Sequence, residues 1–215
     1  EIKELEKKIS NIYKKKYAVA VNSCTDALFF SLKAAGIKKN DEVLVTSFSW
    51  ISSASSIVRA NAIPKFVDIG DDYNIDLNNA SKKITKKTKA IILVNIFGKM
   101  IDQNKLKNFL KKHKIIAISD SAQSFGLKYS SVKLEKKIKF TCLSFDPTKV
   151  ISAFGSGGMV LCDNKKNFKK LISLRYHGKI KDNFYELGYN SQLSTLSASS
   201  IITKLKHYND WKRKR

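Results

Sequence analysis

"KAIILVNIFGKMIDQNKLKNFLKKHKIIAIS", residues 89–119, holds two continuous apolar runs separated by an amphipathic one. Strands covered on both faces of a sheet read as unbroken apolar stretches, and residues 89–95 and 114–119 have that form. Between them "DQNKLKNFLKKH" spaces its apolar residues as a helix does, behind Asp102, a residue type that caps helix N-termini. Strand, helix and strand in that order predict a crossover connection and therefore parallel pairing.

The pattern extends in both directions. "YAVAV" (17–21), "DEVLVT" (41–46), "PKFVDI" (64–69), "KFTCLSF" (139–145) and "GMVLCD" (158–163) predict further strands. "TDALFFSLKAAG" predicts a helix stopped by Gly36, a Ser/Ala-rich helix runs through about Asn61, and another starts at Asp76. "KNFKKLISLRYHG" and "LSTLSASSIITKLKHYNDW" read as helices. The expected fold is α/β, with three layers around a mostly parallel sheet. Ligands of such sheets gather beyond the carboxyl ends of the strands. The chain divides into a helical segment at 1–16, a main domain at 17–205, and a stretch at 206–215 that starts a helix leading out of it. It begins inside a helix pattern and stops at "DWKRKR" without a closing element, so it reads as a fragment.

Composition narrows the function classes. Hydrophobic residues make up 43% of the chain, as in an ordinary globular protein. No apolar run approaches the roughly 18–20 residues that span a bilayer. The opening "EIKELEKKISNIYKKK" is charged where a secretory signal would be apolar. Cys24, Cys142 and Cys162 are scattered without metal spacing and suit a reducing cytoplasm. The net charge of +23 raises the possibility of nucleic-acid binding. Against it, only four of the 41 basic residues are arginine, and the lysines are spread through every segment without interleaved aromatics. Solvated faces account for them, and no nucleic-acid partner is expected.

Three groups of polar residues fall at predicted strand ends. Ser23 and Thr25 in "NSCTDAL" (22–28) start a helix, where free N–H groups favour an anion such as phosphate; a plain N-cap is the alternative. Asp120 in "IAISDSAQSFG" (116–126) ends an apolar run, so it reads either as a carboxylate facing a cationic partner in a cleft or as a helix cap. Lys149 in "LSFDPTKVISAFGSGG" (143–158) sits between a strand and a glycine-rich loop. A surface lysine is the bland reading; a lysine in a partly dry pocket is a nucleophile and base. A phosphate cradle, an acidic strand end and a lysine in a glycine-bounded loop are together the parts that hold pyridoxal phosphate.

In order and wording these segments resemble the DegT/DnrJ/StrS-type sugar aminotransferases, fold-type I pyridoxal phosphate enzymes that aminate keto groups on nucleotide-linked sugars. The resemblance runs through "DEVLVTSFSWISSASSIVRANAIPKFVDI", "YNIDL", "TKAIILVNIFG", "SDSAQSFG", "LSFDPTK", "GSGGMV" and "LGYNSQL". It implies the large domain of a fold-type I enzyme, with the small C-terminal domain missing. It implies that Lys149 bonds covalently to the cofactor's aldehyde and that Asp120 pairs with the pyridinium nitrogen. Gln123 would lie near the phenolic oxygen and Trp50 would stack on the ring. Ser23, Cys24 and Thr25, together with Ser144, would take the phosphate, and Asn190 would reach that phosphate from the partner subunit of a homodimer. "YELGYNSQLS" is accordingly expected as an exposed loop rich in aromatic residues, with Tyr185, Leu187 and Tyr189 at the interface. The substrates implied are an amino-acid donor, glutamate above all, and a keto-sugar nucleotide. A non-catalytic or regulatory relative keeping the fold is the alternative.

The chain also departs from the family's pattern. Asn95-Ile96-Phe97-Gly98 stands where "H-x-Y-G" is usual, Gln192 follows Asn190 where arginine is frequent, and Cys24 replaces a glycine. The lysine at 149 argues against the family's dehydratase branch, where histidine takes its place.

Overall fold

The computed structural model describes residues 1–129 and 132–214. Seven strands form the main sheet: β1 (Tyr17–Val21), β2 (Glu42–Thr46), β3 (Ile63–Val67), β4 (Thr88–Val94), β5 (Ile116–Asp120), β6 (Ile138–Ser144) and β7 (Gly158–Cys162). Their spatial order is β1-β7-β6-β5-β4-β2-β3. Pairing is parallel from β3 through β6, whereas β7 runs antiparallel to both β6 and β1. All strands but β7 therefore point the same way. The carboxyl ends of β1, β2, β4, β5 and β6 share one edge with the amino end of β7, which brings Gly157 and Gly158 to the edge that carries Asp120.

Helices cover both faces. On one, α2 (Cys24–Ala35), α3 (Ser52–Arg59) and α7 (Lys165–Arg175) bury Phe29, Phe30, Ile57 and Leu171 against Val19, Val43, Ile118 and Phe140. On the other, α1 (Ile2–Tyr13) and α8 (Thr195–Leu205) pack Leu5, Ile9 and Ile201 on Ala18, Leu143 and Met159. Beside them, α4 (Leu77–Lys83) and α5 (Gln103–His113) lay Leu77, Leu106 and Phe109 on Leu44, Ile91 and Leu93. Alternate residues of one strand go to opposite layers, as the pleat requires. The three-layer expectation holds.

Local chemistry sets the helix ends. Ser23 accepts the Asp26 N–H at 3.1 Å at the start of α2, and Gly36 ends it at φ 84°. Asp102 accepts from Asn104 and Lys105 ahead of α5, and Asp76 from Asn78 ahead of α4. Each such cap contributes about 1 kcal/mol. After α1, Lys15 is buried between Glu135 (2.9 Å) and Asp163 (3.2 Å), an ion-pair triad joining that helix to the end of β7. A short helix, α6 (Val132–Glu135), precedes β6.

Two expectations are revised. The C-terminal helical stretch is not continuous: α8 ends at Leu205 and a short α9 (Tyr208–Arg213) follows. Tyr208 there donates to the Phe125 carbonyl at 2.9 Å and meets the Phe125 ring edge-on. The stretch 185–194 is irregular, as expected of a loop, and it follows a small hairpin, β8 (Lys179–Ile180) with β9 (Asn183–Phe184). Tyr185 and Leu187 beyond it are exposed, but Tyr189 is not free for an interface, because its ring packs on Phe29 and Phe30.

Candidate functional site

Asp120 ends β5, and residues 121–129 after it form turns rather than a helix, which removes the cap reading. Its Oδ2 accepts from Ser53 Oγ at 2.8 Å, its Oδ1 from the Ala122 N–H at 3.2 Å, and Cys24 Sγ lies 4.0 Å from Oδ1. Burial pushes this carboxyl above the usual carboxylate range, while the two hydrogen bonds and the charge of Lys149 pull it back. The half-buried Cys24 thiol is raised well above its ordinary value, first by burial and then by Asp120, so it stays neutral.

Lys149 is presented by a turn that its sequence builds. Pro147 fixes its own φ, and Asp146 accepts from the Thr148 N–H at 3.0 Å and the Thr148 hydroxyl at 2.7 Å. These bonds hold the Asp146 carboxyl below the usual range, and the Lys149 N–H closes the turn on the Asp146 carbonyl at 2.9 Å. The Gly155–Gly158 stretch follows, and Gly158 lies directly against the start of α2.

One cavity of about 490 Å³ gathers Ser23, Cys24, Thr25, Trp50, Asp120, Gln123, Ser144 and Lys149 in its walls. These are all the expected site residues except Asn190. A larger cavity of about 660 Å³, between α4 and α5, shares none of them. Trp50 is 77% exposed, standing at the cavity's rim on the loop after β2. Gln123 accepts the Phe97 N–H through Oε1 at 2.8 Å, which leaves its amide NH2 as the group available to a ligand. Ser144 accepts the Asp146 N–H at 3.3 Å, and Thr25 donates to Ser52 at 2.9 Å.

Asn190 stands apart, exposed, and is fixed by its neighbours. Ser191 is buried and donates to Asp26 at 2.6 Å, and the half-buried Tyr189 lies under the Arg59 guanidinium. With both neighbours pinned inward, Asn190 faces out.

The residues missed by sequence reasoning are mostly serines. Ser49, Ser52, Ser53 and Ser156 line the cavity, and Ser53 makes the shortest bond to Asp120. The Ser/Ala-rich stretch "SFSWISSASS" (47–56), which holds the first three, carried a helix signal but no sign of which hydroxyl faces the carboxylate. Asn95, in the place of the family's histidine, donates instead to Ser119 at 3.1 Å and Ser121 at 3.4 Å in a buried network that Tyr129 joins. Phe97 sits at φ 54° with its ring exposed against Phe48 and Tyr73.

The expected pyridoxal phosphate can be tested against this geometry. A Cβ on Gly158 would stand 2.3 Å from the Ser23 carbonyl carbon and 2.6 Å from Cys24 N, so only glycine leaves the start of α2 as an open backbone cradle. First-turn N–H groups of a helix have no intrahelical partner and suit a phosphate. In the same cavity a buried carboxylate accepts hydrogen bonds from neutral donors, Ser53 and the Ala122 N–H, and keeps the capacity to pair with a cationic ring nitrogen. The residues fit the group.

The sequence profile of the DegT/DnrJ/EryC1/StrS aminotransferase family matches residues 1–215. The chain belongs to this family. Among curated relatives, it is 36% identical to the "pleiotropic regulatory protein" of Geobacillus stearothermophilus, over 100% of this chain and 58% of that protein. It is 30% identical to the UDP-2-acetamido-2-deoxy-3-oxo-D-glucuronate aminotransferase of Pseudomonas aeruginosa, covering 98% of this chain and 59% of that enzyme. Among solved structures, NtdA from Bacillus subtilis with bound cofactor PMP superposes with a TM-score of 0.91 at 30% identity, over 99% of this chain and 49% of that one. The chain thus spans about half to three fifths of the length of these relatives. Among the described residues no helix is long and apolar enough to cross a membrane.

Proposed function

We propose that this chain is the cofactor-binding part of a pyridoxal phosphate-dependent aminotransferase that moves an amino group from an amino acid, L-glutamate, to a keto group of a nucleotide-linked sugar. The observation that carries the reading is one cavity holding both Lys149 and Asp120, with Ser23, Cys24 and Thr25 at the start of α2 in the same walls and Gly158 against that start. Family membership and the Pseudomonas relative's name support the substrate class.

When bound, pyridoxal phosphate supplies an aldehyde carbon that takes the amino group and a ring that accepts the electron pair left on the donor's α-carbon. Lys149 is the residue that would hold that aldehyde, and its amine, once free, would act as the base for the donor's α-proton. Asp120 would hold a proton on the pyridine nitrogen. Ser23, Cys24 and Thr25 at the start of α2, with Ser144, would hold the phosphate, and the Gln123 NH2 would be the donor to the phenolic oxygen. Trp50, at the cavity rim, would shield the ring from water. The same residues would serve the sugar ketone in the second half of the reaction.

Residues 17–205 are assigned as the cofactor domain, with 1–16 before it and 206–215 leading toward a smaller domain. The working unit is a cytoplasmic homodimer in which the outward-facing Asn190 reaches the neighbour's phosphate site. The three free cysteines support the reducing compartment.

The Geobacillus relative's name favours a second reading, a regulatory protein that keeps the fold and the cofactor without turnover. Incubation with pyridoxal phosphate, L-glutamate and a keto-sugar nucleotide separates the two. Formation of 2-oxoglutarate and an aminated sugar supports the enzyme; bound cofactor with no product under any donor supports the regulator.

A further inference from the structure

Asp120 is held by a hydroxyl relay. Ser53, 1% exposed on α3, donates to Oδ2 of Asp120 at 2.8 Å, and Asp120 itself is 5% exposed. A serine has one hydroxyl proton, so with that proton on Asp120 the 2.9 Å contact between Ser49 and Ser53 must be a donation from Ser49. The relay therefore runs Ser49 to Ser53 to Asp120, and its outer member lies next to Trp50 on the cavity rim. Each hydroxyl polarises the next, which strengthens the donation that reaches the carboxylate.

We infer that Ser53 is a positioning residue for Asp120, fixing the carboxylate's rotation and keeping it ionised in a buried pocket, with Ser49 as its support. The inference rests on the proposed reading in one respect, that Asp120 serves a cationic ring nitrogen; the hydrogen bonding stands without it. The other groups facing Asp120 are the thiols of Cys24 on α2 and Cys142 on β6 and the ammonium of Lys149. Burial raises both thiols, so neither supplies a charge in the working range. Among the neutral partners, the strongest support for the anion comes from Ser53, ahead of the Ala122 N–H. Without that hydroxyl, a carboxylate already disfavoured by burial takes up a proton and can no longer hold one on a ring nitrogen.

The test is a carbon NMR titration of the Asp120 carboxyl in the cofactor-free protein, comparing wild type, Ser53→Ala, Ser53→Thr and Ser49→Ala. A hydrogen bond to a charged group predicts that Ser53→Ala lowers the ratio of ionised to neutral Asp120 by about tenfold or more at a fixed pH near its midpoint. Ser53→Thr, which keeps the hydroxyl, should return the ratio to within a fewfold of wild type. Ser49→Ala should shift it the same way as Ser53→Ala but less. In cofactor-loaded protein the pH profile of the visible absorption should move with Ser53→Ala and not when Asp120→Asn is also present. Superimposable titrations of wild type and Ser53→Ala would overturn the inference, as would a Ser49→Ala shift in the opposite direction should Ser53→Ala fail to fold. Failure to bind pyridoxal phosphate would instead count against the proposed function and leave the titration readable.

Discussion

Gly158 and Ser23 are in backbone contact: a Cβ at position 158 would lie 2.3 Å from the Ser23 carbonyl carbon and 2.4 Å from its oxygen. The contact joins the first residue of β7 to the N-cap of α2, and it explains why the glycine-rich loop must end as it does. Gly158→Ala forces the two segments apart. The expected cost is about 1–3 kcal/mol of stability, with a matching loss of cofactor affinity as the α2 start shifts. Thermal melting and a pyridoxal phosphate titration check this; wild-type values in both would show that the contact yields without consequence.

Asp120 gives the cofactor-free chain a pH-dependent weakness. Its folded pKa is raised, so the stability it contributes is present while it is protonated, below the ordinary value of about 3.9. That contribution is lost as pH rises through the folded value. Asparagine cannot ionise, so Asp120→Asn should gain stability relative to wild type as pH rises from acid toward neutral. The lowered carboxyls of Glu42, Asp102 and Asp146 act in the opposite direction in both proteins and cancel in the comparison. Melting temperatures of the pair across this range provide the measurement, and a constant difference would contradict it.

The same variant separates stability from chemistry. An amide cannot balance a pyridinium charge, so Asp120→Asn should keep cofactor bound while turnover with glutamate falls by about 10²–10³-fold. Near-normal turnover would reduce Asp120 to a structural residue.

Asn190 is exposed between the buried Ser191 and the half-buried Tyr189, and the proposed dimer uses it in trans. Removing one charge-assisted hydrogen bond should weaken cofactor binding by about 1.5–3 kcal/mol. Mixing Asn190→Ala chains with Lys149→Ala chains should restore part of the activity, because one site of each mixed dimer is then intact. Proven mixed dimers without recovery would exclude the shared site.

Most of the fold was legible because its strands are buried on both faces, and burial writes itself as unbroken apolar runs such as 89–95. The reversal of β7 was not, since "GMVLCD" reads the same in either direction; only its pairing with β1 and β6 reveals it. Strand-end position alone left Lys149 between a surface and a pocket lysine and Asp120 between a cap and a cleft carboxylate; the structure brings both to one cavity. The role of Ser53 was hidden among similar serines, and burial of Lys15 among many solvated lysines, because each depends on a partner distant in sequence: Asp120 for one, Glu135 and Asp163 for the other. Tyr189 misled for the same reason, its aromatic loop suggesting an interface while its ring fills a gap over α2.

The most direct test of the central claim is borohydride reduction of the cofactor-loaded protein followed by peptide mapping. The chain offers many lysines, so chance attachment would scatter the label. The account predicts the reduced cofactor on the peptide carrying Lys149 and its loss in Lys149→Ala. Label on another lysine, or a yellow protein that traps nothing at position 149, would contradict it.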